Sequence, residues 1–345
     1  MLKINLLWDI LIIRRIGELS IKVREYLARL EDDKSLPRDG NGFLLEDGDK
    51  VQPITTWEDD VCLGSNFTYM YGINNNEYYA KILSQYSAGM TNEIFMGRVF
   101  NDLGINSTIA YPMMCKSSID SSAHAISCVA TQDISNLNGG KIISDDAQLI
   151  IRNLNYEYNF DTSIWSLVTR PDIKACLLTI MTEECYNKMV NLFLLDNLVS
   201  SIDRHGQNYR FVKNTTSNLW EDVIALDHEG ISITESVHDT LKATGTSYGK
   251  SDFNKFLDEK AVVYYPFNQD TEITHYERIK QINNLICSGE LSTEHINFLK
   301  SATEYDIMRT YKGVHDDYNL VTNTQSYFDA IARLWDYNRG ALELN

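Results

Sequence analysis

The sequence predicts an α+β fold in two parts: a small antiparallel-sheet unit, then a larger, mainly helical one. Three observations carry that expectation. The chain has 345 residues, too many for one minimal core. Between about residue 43 and residue 135 the pattern is short and strand-like, with aromatic and β-branched residues around Asn/Gly clusters. Beyond residue 140 the apolar residues return at helical spacing. A hydrophobic content of 43% is ordinary for a soluble globular chain.

Taken in order, Ile16, Leu19, Val23, Leu27 and Leu30 share one helix face, and Arg15, Lys22, Arg24, Arg29 and Glu31 take other positions. The polar stretch from Asp32 to Gly42 ends that helix, so residues 1–50 form a helical extension. In the sheet unit, 51–135, Phe67 to Tyr71 and Glu77 to Leu83 flank the turn Gly72-Ile73-Asn74-Asn75-Asn76, which predicts a hairpin. Thr91 is placed to cap a helix from Asn92 to Leu103 that Gly104 stops. Ala125 to Ala130 reads as a further strand, ending at Asp133.

The helical unit covers 136–345. Its segment 189–202 is apolar on every face, the mark of a helix buried inside a fold. Residues 231–252, rich in Ser, Thr and Gly, read as a loop that faces substrate or is itself phosphorylated, or simply as a flexible linker. Amphipathic helices are expected over 270–340.

The formal charge of −17, from 48 acidic and 31 basic residues, argues against a nonspecific nucleic-acid binder, which needs a basic surface. Six cysteines, at 62, 115, 128, 176, 185 and 287, form no CxxC pair and no zinc-like spacing. They read as reduced thiols and imply a cytoplasmic setting, with secretion by a route lacking a signal peptide left open. The apolar run from Ile4 to Ile13 is cut by Asn5 and Asp9 and has no small-residue cleavage site, so it is not read as a signal peptide. No stretch approaches the roughly 20 apolar residues of a membrane span.

The chemistry concentrates in Asp203-Arg204-His205-Gly206-Gln207-Asn208, at the end of the buried segment. Phosphoryl transfer asks a protein for positioning, for a metal to neutralise phosphate charge, and for a carboxylate beside the incoming hydroxyl. Asp203 is placed to be that carboxylate. Tyr209 to Val212 and Val223 to Leu226 flank the polar turn Lys213 to Asn218. As a hairpin they bring Asp227 back beside Asn208, two oxygen ligands suited to Mg²⁺.

The string from Asp203 to Asn208, with Ala225-Leu226-Asp227-His228-Glu229-Gly230, resembles the HipA-like serine/threonine kinase family. Lipid kinases of the phosphatidylinositol type share the Asp-Arg-His-x-x-Asn order. Asn75 to Ile82 resembles the strand that carries the HipA-like family's ATP-phosphate lysine. Asn92-Glu93, followed by Leu103-Gly104-Ile105, resembles its Asn-Glu helix. The resemblance implies a two-lobed protein-kinase-like fold with ATP and Mg²⁺ as cofactors. Within it Lys81 holds the phosphates, Glu93 pairs with that lysine, Asp203 is the catalytic acid or base, and Asn208 and Asp227 hold the metal. Gly64 and Ser65 take the place of the phosphate-covering loop, though Phe67-Thr68-Tyr69 stands where the family usually carries a lysine.

Arg204 and His205 read as loop braces, and His228 as a packing residue. The implied acceptor is a protein Ser/Thr hydroxyl, and the implied partner an antitoxin or other regulator, since the family includes toxin and effector kinases. Two alternatives stand beside this reading: a lipid or small-molecule kinase, and a kinase-fold binding module without activity.

Overall fold

The computed structural model describes residues 51–53, 68–73, 76–82, 88–115, 126–132, 143–146, 170–201, 208–214, 216–231, 250–259, 261–264, 271–318 and 324–344. The helix expected near residues 16–30, the loop from Asp32 to Gly42, and Gly64, Ser65 and Asp203 lie outside them. The elements run β1 (Val51–Pro53), β2 (Thr68–Ile73), β3 (Asn76–Ile82), α1 (Ala88–Asp102), β4 (Ala110–Cys115), β5 (Ile126–Gln132), β6 (Ile143–Asp146), α2 (Pro171–Leu177) and α3 (Glu183–Leu198). They continue as β7 (Tyr209–Lys213), β8 (Trp220–Ala225), α4 (Lys250–Glu259), β9 (Ala261–Tyr264), β10 (Thr271–Thr274), α5 (His275–Cys287), α6 (Thr293–Glu304), α7 (Ile307–Tyr318) and α8 (Thr324–Ala341).

The first sheet is antiparallel, in the order β1-β2-β3-β5-β4. Its prolines follow the rule that a residue without N–H belongs at a sheet edge: Pro53 lies on β1 and Pro112 on β4, the two outer strands. The expected β2–β3 hairpin is present, with Thr68 opposite Lys81 and Ile73 opposite Asn76. β5 falls where a strand was expected. β4 was not foreseen.

α1 begins at Ala88, three residues ahead of the expected cap, so Thr91 is a buried residue of the first turn and not its N-cap. Its end is as expected. Gly104 has φ +79°, its N–H donates to Asn101 C=O at 3.0 Å, and Ile105 N–H donates to Phe100 C=O at 2.9 Å. That bond pair is a Schellman ending, which needs a left-handed residue at its turn. From Met90 to Phe100 every residue of α1 is buried except Arg98, which is half-buried. The helix is packed from both sides, by β4 and β5 and by α7, with the Phe95 ring edge-on to Tyr311 at 4.9 Å.

α3 is the buried helix the sequence predicts. Thr182 caps it, its side chain accepting from Cys185 N–H, and every residue from Met189 to Leu198 is buried. It packs against β8, α5 and α6. It stops at Leu198, short of Ile202, again by a Schellman pair: Ser201 N–H to Asp196 C=O at 2.9 Å and Ser200 N–H to Asn197 C=O at 3.3 Å. Ser200 takes the left-handed position, at φ 55°. Beyond it Ser201 forms an antiparallel bridge with Ile231.

β6, β7 and β8 form a second sheet in that order. β7–β8 is the expected hairpin, with Tyr209 opposite Ala225. Its turn is shaped by Asn214, whose Oδ1 accepts from the N–H groups of Thr216 and Ser217 at 2.7 and 3.1 Å. A third pair, β9–β10, interrupts the stretch read as helical, and α4 begins at Lys250 inside the stretch read as loop. α5 opens on a full capping box between Thr274 and Glu277. The helices expected over 270–340 are present, their core including Tyr311, Tyr327 and Trp335.

Among the described cysteines Cys176, Cys185 and Cys287 are thiols outside any disulfide, and burial pushes Cys185 up to about 12, which leaves it unreactive. No described helix is long and apolar enough to cross a membrane.

Candidate functional site

The β7–β8 hairpin brings the two expected metal ligands to one place. Asn208 directly precedes β7, and Asp227 follows β8 by one residue. Leu226 N–H donates to Asn208 C=O at 2.9 Å, which extends the ladder past Tyr209–Ala225 to the residues that carry the site. Asn208 is buried and Asp227 half-buried. Asp227 has φ 53°, a left-handed backbone that Asp tolerates better than most residues. That conformation turns the chain sharply off β8.

What lies beyond the turn is fastened to α1. His228 N–H donates to the Glu93 carboxylate at 2.5 Å, and Asn92 Nδ2 donates to Glu229 C=O at 2.8 Å. The His228 ring stacks at a tilt on Phe100, centroids 4.7 Å apart, and its Nε2 is 2.7 Å from Ser107 Oγ. All four attachments come from residues 92–107, more than 100 positions away in the chain. They explain why His228 is buried and bear out its reading as a packing residue.

The segment after α1 completes the arrangement. Ser107 lies parallel to Ala225: Ala225 N–H donates to Asn106 C=O at 2.9 Å, and Thr108 N–H donates to Ala225 C=O at 3.1 Å. Ala225 is therefore held on one side by β7 and on the other by residues 106–108. Asn101 staples that segment back to its own helix, its Oδ1 accepting from Ser107 N–H at 3.1 Å and its Nδ2 donating to Gly97 C=O at 2.8 Å. The Asn106 amide also donates to Asp222 on β8, whose other carboxylate oxygen accepts from Lys188 of α3 at 3.3 Å. At the far end of β8, Thr182 N–H donates to Trp220 C=O at 2.8 Å, and Trp220 N–H to Ile180 C=O at 2.9 Å.

Asn208, Asp227 and Glu93 thus belong to one hydrogen-bonded group. Glu93 is not a first-turn acid facing the helix dipole, because α1 starts five residues before it, and it is 3% exposed. Lys81 lies on the central strand β3, opposite Thr68 and Val129, and β5 beside it packs against α1. Thr68, its partner on β2, comes three residues after Ser65. Asp203 falls between two fixed points, Ser201 bridged to Ile231 and Asn208 bonded to Leu226.

Sequence reasoning gave no role to Asn92 or Ser107, whose polar groups fasten the Asp227 segment. Asn92 was visible as the neighbour of Glu93. Ser107 had no local signal.

Among the described residues, no group of three or more His, Cys, Asp or Glu side chains gathers to hold a metal alone. One amide and one carboxylate oxygen are instead the sparse hard-donor set that suits Mg²⁺, which completes its shell with water and substrate phosphate.

No protein-family model matches this chain, and no curated protein matches it in sequence. In structure it is similar to the crystal structure of a Helicobacter pylori proinflammatory kinase, CtkA. The TM-score is 0.55 at 14% identity, covering 85% of this chain and 92% of that one. The fold, a small antiparallel sheet with a larger set of helices, is kinase-like.

Proposed function

We propose that this chain is an ATP- and Mg²⁺-dependent protein serine/threonine kinase of HipA-like type. The observation that carries the reading is the β7–β8 hairpin, whose ladder sets Asn208 beside Asp227 directly after the Asp203 segment, within a kinase-like fold. In this reading the sheet and the helical body are the two lobes. Lys81 binds the ATP phosphates, and the backbone of Gly64 and Ser65, just ahead of the strand paired with Lys81, covers them.

Glu93 has two carboxylate oxygens and two tasks. One oxygen fixes the His228 N–H, and the other serves Lys81. Asn208 and Asp227 hold Mg²⁺, which supplies charge neutralisation at the phosphates when bound. Asp203 orients the acceptor hydroxyl and takes its proton. Holding Asp227 from α1 and from residues 106–108 keeps its carboxylate in one geometry, which is what catalysis by positioning requires.

The test is transfer of label from radioactive ATP with Mg²⁺ to the protein itself or to a generic protein substrate, beside Asp203→Ala and Asp227→Ala. Label in the wild type that is lost in both variants is the expected result. Label only on added phosphoinositide moves the protein to the lipid kinases. No label and no nucleotide-dependent thermal shift leaves a binding module.

A further inference from the structure

The end of α3 and the start of the Asp203 segment are held by a buried polar group that the kinase reading does not use. Arg278 of α5 is 0% exposed, and its Nη1 donates to Ser201 C=O at 2.8 Å. Beside it, the His275 Nε2–H donates to Asn338 Oδ1 at 2.7 Å, and Asn338 Nδ2 of α8 donates to Leu198 C=O at 2.7 Å. A helix ends with carbonyls that have no partner within the helix, and its C-terminus favours a cation. Asn338 and Arg278 answer both needs, one at the last helical residue, Leu198, and one at Ser201, the second residue beyond the C-cap Val199. Burial pushes the His275 imidazole down to about 3, so the ring is neutral and donates through Nε2 with Nδ1 bare.

The position of the Arg278 contact sets it apart from an ordinary helix cap. Ser201 is also the residue bridged to Ile231, the first residue after Gly230. One guanidinium therefore grips the crossing of two chain segments: the one leading into Asp203 and the one leaving Asp227. Two residues of chain reach at most about 7 Å, so the Ser201 carbonyl fixes where the Asp203 segment starts.

We infer that Arg278 is a positioning residue for phosphoryl transfer, setting the spacing between Asp203 and the Asn208–Asp227 pair; this rests on the kinase reading above. It touches neither nucleotide nor acceptor. Its removal acts on kcat, because a misplacement of about 1 Å at reacting groups costs on the order of 100-fold in rate. ATP binding, assigned to other residues, is left largely unchanged.

The experiment compares kcat, KM for ATP and thermal midpoint in wild type, Arg278→Met, Arg278→Lys and Ile282→Ala. Ile282 is a fully buried apolar residue of the same helix and serves as a control for lost stability alone. Arg278→Met is expected to lose about 100-fold in kcat with KM for ATP within about threefold. Arg278→Lys, which keeps a cation and one donor, loses only about tenfold. Ile282→Ala lowers the midpoint and leaves kcat within about threefold.

The inference is overturned if Arg278→Met keeps kcat within about threefold of wild type, or if Ile282→Ala loses as much kcat as Arg278→Met. Should Arg278→Met not fold, Arg278→Lys decides: a tenfold fall in kcat at constant KM supports the role, and an unchanged kcat removes it. Failure of the kinase reading shows separately, as absence of phosphotransfer in the unmutated protein, and takes the positioning role with it.

Discussion

The methyl group that Gly97→Ala adds to α1 stands 2.7 Å from the carbonyl oxygen of Thr108. That oxygen is main chain, and it cannot swing aside as a side-chain end would. Reaching ordinary contact at 3.4 Å requires α1 and Thr108 to part by about 0.7 Å. Thr108 is not free to move alone, since its N–H holds Ala225 C=O at 3.1 Å on the strand leading to Asp227. Overpacking of this kind costs about 1–3 kcal/mol, and loosening the Thr108–Ala225 bond about 1 kcal/mol.

Alanine returns about 1 kcal/mol of helix propensity over glycine. The expected net loss is about 2 kcal/mol. Urea unfolding followed by far-ultraviolet circular dichroism measures it as a lower midpoint at unchanged slope. A variant as stable as wild type, or more stable, refutes the close approach of α1 to residues 106–108 and with it the bracing of Asp227 from that side.

Two further outcomes concern Glu93 and His275. Glu93→Ala leaves the buried His228 N–H without its acceptor and is expected to cost about 1–3 kcal/mol, whereas Glu93→Gln keeps an acceptor oxygen and stays within about 1 kcal/mol of wild type; equal midpoints for Glu93→Ala and wild type in urea refute the clamp. His275 is held neutral, with its folded value near 3 and its unfolded value at 6.5, so between those limits the unfolded chain binds the extra proton and stability falls as pH falls below about 6.5. Its share of the slope approaches about 1.4 kcal/mol per pH unit, and a His275→Phe variant is expected to show a flatter decline between pH 4 and 6.5; an unaltered slope refutes the assignment.

The parts of this fold that were legible are those whose signals are local. The β7–β8 hairpin is written as two apolar-aromatic runs around Asn214 and its polar neighbours, and the end of α1 is written as Gly104. The interior of α3 announces itself by being apolar all round. Its end does not, because the left-handed cap position is filled by Ser200 where glycine is usual. The start of α1 was misread because Thr91 is a capping-type residue, and only packing shows that it lies buried inside the helix.

β4 was hidden by Pro112, a residue that argues against a strand unless the strand is an edge, and edge position is a property of the whole sheet. In the site, Asn208 beside Asp227 followed from the hairpin alone. The attachments to Glu93, Asn92 and Ser107 did not, since each joins residues more than 100 apart.

Several joints around β8 and Asp227 are made by main-chain groups: residues 106–108 to Ala225, Asn208 to Leu226, Ile180 and Thr182 to Trp220, Ser201 to Ile231. A bond between peptide groups asks nothing of the side chains attached to them, provided the backbone keeps its path. Substitutions can therefore accumulate along these segments while the joints endure. That is how a chain can share 14% of its residues with a solved kinase and still follow its course over 85% of its own length. For engineering, it means the frame around Asp227 offers many side chains open to change, and few places where the backbone can be lengthened, shortened or given a proline.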